Sequence, residues 1–269
     1  NDKIVARRQK YPFELSQEAL QVGEEIKGKG YHKIENFFDK EQQKVMLQIK
    51  DTISHYVDAN INIKKRDSNM AFINQPILNI PDLYKIIFDD RIIDIATAYF
   101  NCLPAVTSVA VRKSFVSSAA PVSNQFFHLD YNSLVKLLKF IIYFNDVDFY
   151  GGPFTFVEGS HKRMFDNWWN LHYLKDEMIE GLYGKEKIRY LTANFGDISA
   201  ADTRGFHKGL KVIETPRIAM HICFLVHPEL TGPGHQNETP YEKGFRIKRE
   251  DFEKLPDHKK PVADFLVKE

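Results

Sequence analysis

A mainly β protein, a sandwich or jelly roll with a helical N-terminal part, is the fold class that the sequence predicts. Three observations lead there. The chain has 269 residues, enough to bury a sizeable core. Apolar residues recur at helical spacing through roughly the first hundred positions. Beyond Pro104 the pattern changes to short β-branched or apolar runs divided by turns. We expect one domain over 1–269: a helical part to about residue 103, a β core over 104–227 interrupted by an insertion near 162–186, and a surface loop and tail over 228–269.

Each element has a local reason. Leu15 to Lys27 reads as a helix begun at Ser16 and stopped near Gly28 and Gly30, with a short strand, Tyr31 to Ile34, after it. Asp39 is a second N-cap, with Gln42 in the capping-box position. Met46, Ile49, Ile53 and Val57, joined by Val45 and Tyr56, mark one apolar face of the helix behind it. A third helix passes through Ile92, Ile93, Ile95, Ala96 and Tyr99 and stops at Asn101. The strand candidates are Val106 to Val116, Leu137 to Asn145, Pro153 to Val157, Lys187 to Leu191, Asp197 to Ala200, Leu210 to Glu214 and Arg217 to Val226. Phe165 to Gly184, which carries Trp168, Trp169, His172 and Tyr173, reads as a helical or irregular insertion.

Composition narrows the function classes. With 37 Lys plus Arg against 36 Asp plus Glu, the formal charge is +1, which gives no global attraction to nucleic acid or to an acidic membrane. No stretch of about 18 apolar residues occurs, and the polar, basic start lacks the apolar region of a secretory leader. Two distant cysteines, Cys102 and Cys223, without a CxxC spacing, argue against a disulfide scaffold and a thiolate zinc site. The expectation is a cytoplasmic protein with neither nucleic acid nor membrane as partner. Oligomeric state is not legible.

The residues that carry chemistry are histidines and acids. Redox-active Fe(II) needs a few ligands on one side and open positions on the other, and two imidazoles with one carboxylate supply that arrangement. An H-x-D pair at a strand end can aim both side chains at one ion, and QFFHLDYN offers His128 and Asp130. With ten His in the chain, about one H-x-D or H-x-E arises by chance, so context must choose. The competitor, His227 and Glu229, has little sequence after it for a second histidine and a cation. Downstream of His128 lies His207, followed ten residues later by Arg217 at the head of an apolar strand. Arg suits a carboxylate because its planar fork donates two charge-assisted hydrogen bonds. Alternation puts Arg217, Ala219, His221 and Cys223 on one face of that strand and Ile218, Met220, Ile222 and Phe224 on the other.

The ordered set QFFHLD, KLLKFIIYFNDVDFYGGPFTFVEGSHK, GD ahead of DTRGFH, and Arg217 resembles the phytanoyl-CoA dioxygenase family of Fe(II)- and 2-oxoglutarate-dependent oxygenases. The Gly-Pro and P-G-S-H-K signature is matched at Gly152, Pro153, Gly159, Ser160, His161 and Lys162, with Glu158 where Pro is usual. GYHKIENFFDKEQ resembles the family's opening strand and helix, so the likeness runs over about residues 15 to 227. The resemblance implies a double-stranded β-helix, a cupin-like jelly roll with helices packed on one sheet. It implies His128, Asp130 and His207 as iron ligands, Arg217 on the distal carboxylate of 2-oxoglutarate, and O₂ as co-substrate. The implied reaction oxidises a small molecule, typically by hydroxylation, as 2-oxoglutarate is decarboxylated to succinate and CO₂. Desaturation and ring closure are variants of it. Related halogenases replace the carboxylate by a small residue, and Asp130 is retained here. Gly209 stands where the family often has a hydroxyl residue, so some other group must help hold the keto acid. The family's inward aromatic aligns near Ile141, which turns Lys139 and Tyr143 inward; Lys139 becomes a candidate carboxylate contact for 2-oxoglutarate or substrate.

Other readings stay open. His161 or His221 could replace His207 as third ligand; Arg217 could be a surface ion pair, and Lys139 an edge charge against aggregation. Arg112, Trp168, Trp169 and His221 are candidate substrate contacts; for the two Trp residues packing is the first reading, and their place in the insertion makes a substrate lid the second. The rival function is a metal-binding cupin-like protein, an isomerase or binding module, that never uses 2-oxoglutarate. A silent scaffold of the same fold is disfavoured by the retained ligands.

Overall fold

A computed structural model of the chain describes residues 6, 8–9, 14–67, 69–130, 136–163, 173–226 and 247–267. Helix α1 (Gln17–Lys29) starts where Ser16 accepts the Ala19 N–H at 3.1 Å, and it ends at Gly30, whose φ of 93° few other residues tolerate. Helix α2 (Lys40–Asp58) has the full Asp39–Gln42 capping box. Helix α3 (Asp90–Phe100) closes on Asn101 in the left-handed conformation. The three anticipated helices therefore stand close to where caps and periodicity put them.

Among the described residues ten strands form two antiparallel sheets. They are β1 (Tyr31–Ile34), β2 (Ile63–Asp67), β3 (Met70–Ile73), β4 (Ala105–Ser114), β5 (Leu138–Tyr143), β6 (Phe154–Val157), β7 (Ile188–Leu191), β8 (Ile198–Asp202), β9 (His207–Gly209) and β10 (Arg217–Leu225). The larger sheet runs β1-β8-β5-β10-β4-β3-β2 and the smaller β7-β6-β9. A bridge between His128 and His207 adds the segment before Asp130 to the free side of β9.

Register decides what each face carries. Strand β10 lies between β4 and β5, pairing Ala219 with Arg112 on one side and with Tyr143 on the other. Ile218, Met220, Ile222 and Phe224 join Phe140, Ile142, Val109 and Val111 in one cluster with Ile26, Met46, Ile49, Ile92 and Ile95 of the helices. The opposite face of the same strands looks towards the small sheet, where Ile141, Tyr143, Ala201 and Ala219 meet Phe154, Phe156 and Leu191. Helix α4 (Asp176–Tyr183) covers the far side of the small sheet through Ile179, against Phe127, Val157 and Phe206. No described helix is long and apolar enough to cross a membrane.

Three expectations change. The strand looked for over Leu210 to Glu214 lies at His207–Gly209, because pairing with Phe154 to Phe156 on β6 and the bridge to His128 hold the chain there. The region read as helical also contributes the β2–β3 hairpin, whose Lys, Arg and Asp residues conceal its alternation. The closing stretch is more than surface: Ile247, Val262, Ala263 and Leu266 are buried in the helix-side core. There the buried Arg8 guanidinium donates to Pro261 O at 2.8 Å and Pro104 O at 3.3 Å, and meets both Asp264 oxygens at 3.1 Å.

Phe140 is fully buried against Phe224 on the helix side of β5, with ring centroids 5.6 Å apart. Phe140→Ala should therefore cost about 3–5 kcal/mol, as large-to-small core changes do. Chemical denaturation measures it, and a loss below about 1 kcal/mol would contradict this account of the core.

Candidate metal centre

His128, Asp130 and His207 come together through backbone geometry. His128 and His207 exchange both main-chain hydrogen bonds, at 2.9 and 3.0 Å, which sets the two rings side by side with centroids 4.4 Å apart. Asp130 is brought back to them because its N–H donates to Thr203 O at 2.9 Å. Each imidazole is then oriented in the same way: His128 Nδ1 donates to Phe126 O and His207 Nδ1 to Gly205 O, both at 2.9 Å. A carbonyl can only accept, so the proton sits on Nδ1 and the lone pair on Nε2.

Those lone pairs face the carboxylate. His207 Nε2 is 3.4 Å from Asp130 Oδ2, and His128 Nε2 is 3.9 Å from Oδ1. One donor atom from each of the three residues lies within 4.8 Å of the others, and no other group of three His, Cys, Asp or Glu does so among the described residues. Ligand bonds of about 2.1 Å at right angles would set such atoms about 3 Å apart, so only small side-chain shifts separate this arrangement from a coordinated one. His207 Nε2 is buried without a hydrogen-bond partner. That would be a costly orphan in a purely structural role and is natural for a ligand atom.

Charge states suit a divalent ion. Burial, and then the neighbouring His207, push His128 down to about 3, so its ring is neutral at pH 7. Burial works to raise the Asp130 carboxyl, but the Lys139 ammonium, in direct contact with Oδ2, and the imidazoles outweigh it and hold the group well below the usual carboxylate range. A neutral imidazole at His128 and an ionised carboxylate at Asp130 result, nitrogen and oxygen donors with the hardness that suits a first-row divalent metal.

The inward face of the large sheet carries the other expected residues. Arg217 is 5% exposed, its Nη2 lies 3.4 Å from Ser114 Oγ, and it has no carboxylate within ion-pair distance among the described residues. Burial lowers its proton affinity below the ordinary arginine value. A side chain at position 209 would put its Cβ 3.3 Å from Arg217 Nη2, so the glycine leaves room for the guanidinium. Tyr143 is buried with its hydroxyl oxygen accepting the Phe154 N–H at 2.8 Å. Arg112 Nη2 sits 2.7 Å from His221 Nε2 and 2.9 Å from Nδ1. Burial, followed by the charges of Arg112, Lys139 and Arg217, holds His221 well below its usual value and neutral.

The residues singled out in the sequence thus divide clearly. The three ligand candidates converge, and Arg217, Lys139, Tyr143, Arg112 and His221 line the same interior. His161 lies outside the ligand group and tethers α1, with Nε2 donating to Lys27 O at 3.0 Å. Trp168 and Trp169, and the competitor pair His227 and Glu229, lie outside the described residues. Ser114 was missed, although its position two residues beyond Arg112 on β4 was a readable signal.

No family model matches the sequence, and neither does any curated protein. Solved structures do. The epimerase SnoN of nogalamycin biosynthesis, crystallised with Fe3+, alpha ketoglutarate and nogalamycin RO, is 15% identical with a TM-score of 0.61, over 78% of this chain and 84% of that one. The non-heme alpha ketoglutarate dependent carbocyclase SnoK gives 16% and 0.59 over 78% and 84%. HygX from Streptomyces hygroscopicus, with nickel and 2-oxoglutarate bound, gives 14% and 0.56 over 79% and 87%. At these identities the likeness establishes a fold: this chain has the fold of non-heme 2-oxoglutarate-dependent enzymes.

A ligand that binds only the folded chain stabilises it by RT ln(1 + [L]/Kd), about 2.7 kcal/mol at a hundredfold excess over Kd. Adding Ni(II) or Co(II) to metal-stripped protein should therefore raise the melting temperature by roughly 5–10 °C. Chelator should reverse the rise, and Asp130→Ala and His207→Ala should abolish it. An equal rise in those variants would place the metal elsewhere.

Proposed function

We propose that this chain is a non-haem iron oxygenase of the phytanoyl-CoA dioxygenase type, one double-stranded β-helix domain that couples 2-oxoglutarate decarboxylation to hydroxylation of a small molecule. His128, Asp130 and His207 would hold the iron, and Arg217 the distal carboxylate of the keto acid. The observation that carries this reading is Arg217: a buried guanidinium without a carboxylate partner among the described residues, on the face towards the three ligand candidates. Burying an arginine costs several kcal/mol unless an anion comes to it, and a dicarboxylate chelating a nearby metal supplies one. A cupin-like binder or isomerase has no use for such a cation. The structural neighbours point the same way, since SnoN and HygX were crystallised with a metal and the keto acid.

In this reading the chain's residues bind and orient. Arg217 offers two charge-assisted N–H donors to a carboxylate. Ser114 and Tyr143 are the hydroxyl groups that make good the missing one at Gly209: Tyr143 Oη accepts from Phe154, so its own proton is left to donate. The Nδ1 anchors on Phe126 O and Gly205 O keep both Nε2 atoms aimed at the ion. The ring of Phe154, with its centroid 5.3 Å from that of His207, together with Ile141 and Ala219, makes one wall apolar and excludes water. Iron bound there, with 2-oxoglutarate and O₂, supplies an oxidant able to remove a substrate hydrogen. SnoN and SnoK are named as an epimerase and a carbocyclase, so the fold accommodates more than one fate of the substrate. Retention of Asp130 favours oxygen transfer in this chain.

Anaerobic addition of Fe(II) and 2-oxoglutarate should produce a weak visible charge-transfer band. Asp130→Ala and His207→Ala should lose it. Arg217→Met should keep the metal but require about 10- to 100-fold more 2-oxoglutarate, as expected for losing a charged hydrogen-bonding partner of about 1.5–3 kcal/mol. Unchanged affinity in Arg217→Met would remove the central support, and metal-loaded wild type that fails to bind 2-oxoglutarate would leave the cupin-like alternative. A substrate screen reading succinate release comes next.

A further inference from the structure

The interior carries a cation, Lys139, beyond the one that the far carboxylate of a keto acid needs. The inward positions of β4, β5, β8 and β10 hold Arg112, Lys139 and Arg217 and no acid. Among the described residues Asp130 is the carboxylate that Lys139 meets, through Oδ2, the oxygen that also faces His207. Lys139 has no other ion-pair or hydrogen-bond partner among the described residues. A divalent ion shared by Asp130, His128 and His207 takes that carboxylate's charge. The 13%-exposed ammonium is then left beside a cation and needs a new anion.

2-Oxoglutarate has only two carboxylates, and in the function proposed above one goes to the metal and the other to Arg217. Lys139 lies opposite Cys223, and from 217 to 223 the strand rises about 20 Å at ~3.4 Å per residue, so the two cations are rooted at opposite ends of the inward face. Between these ends stand His221, neutral and able to accept or donate, and the Arg112 guanidinium against it. His128, Asp130 and Lys139 keep 16%, 19% and 13% of their side-chain surface exposed, so this end of the interior opens to solvent.

We propose that Lys139, with Arg112 and His221, forms a second anion subsite, and that the primary substrate carries an acidic group, a carboxylate or a phosphate, which docks there beside the metal. This rests on the oxygenase reading. It makes Lys139 a specificity-determining residue: in the metal-free protein its ammonium neutralises Asp130, and in the loaded protein it receives the substrate's acid. Metal and anionic substrate then favour each other's binding, because each relieves the charge the other leaves uncompensated.

Calorimetry tests it without a known substrate. Ni(II), then saturating 2-oxoglutarate, then inorganic phosphate, and in a parallel run acetate, are titrated into the full chain. The expected result is one anion per chain at the third step, weakened at least tenfold in Lys139→Met and in Arg112→Met and restored to within threefold by Lys139→Arg. Arg217→Met should weaken the 2-oxoglutarate step and leave the third step alone. Ni(II) alone should bind Lys139→Met at least as tightly as wild type, since the competing ammonium is gone. Whichever of phosphate and acetate binds more tightly identifies the acid. If Ni(II) and 2-oxoglutarate bind but neither anion follows, or if anion binding falls with Arg217→Met and not with Lys139→Met, the subsite is wrong and the oxygenase reading stands. If the first two steps are blank in wild type, both readings fall.

Discussion

The register of strand β10 between β4 and β5 is the constraint on which the rest of the molecule depends. Because successive residues point to opposite faces, one alignment sends Ile218, Met220, Ile222 and Phe224 into the helix-side core and turns Arg217 and His221 into the interior. A slip of one residue would exchange these sets, burying a guanidinium among isoleucines and presenting methionine to the polar cavity. The apolar set, each member giving about 1.5–3 kcal/mol on burial, thereby fixes the register that aims the polar set. Stability and chemistry share one strand, on opposite sides.

The small sheet serves a different purpose. It is too short to hold much core, but its last strand and the segment bridged to it carry two imidazoles within one hydrogen-bonded pair. Main-chain bonds do the positioning that longer side chains would do loosely, and each ring is clamped a second time by the carbonyl two residues earlier. Against this rigid pair the large sheet contributes long, adjustable cations. A stiff ligand set facing flexible charged arms suits a centre that must keep one partner while admitting others.

Much of this was legible in the chain. Caps at Ser16 and Asp39 and the left-handed stop at Asn101 are local features, decided within a few residues, and they read correctly. The alternation of β10 read correctly because its apolar half is uninterrupted. The two-residue spacing of His128 and Asp130 and the ten-residue step from His207 to Arg217 located the candidate site before any contact was visible. What escaped the sequence was non-local. Strand β9 has only three residues, one of them glycine, and exists because its neighbours pair with it. The hairpin at β2 and β3 is masked by charge, and Val262, Ala263 and Leu266 are hidden among lysines and acids. The approach of Arg112 to His221 needs the register of two strands more than a hundred residues apart, which no window along the chain contains.

The same strand order has a bearing on biosynthesis. Strands β4 and β5 do not pair with each other; each pairs with β10, so among the described residues the large sheet consists of two halves, β4-β3-β2 and β5-β8-β1, joined by β10, the last of the described strands to be made. At the ribosome, residues up to 114 are complete while residue 225 is still to come. At about 5–20 residues per second the first half waits on the order of ten seconds with an open, apolar edge. Until β10 emerges, the edge of β4 that it will cover has no partner strand among the described ones, and unpaired strand edges are where a growing chain is open to mispairing.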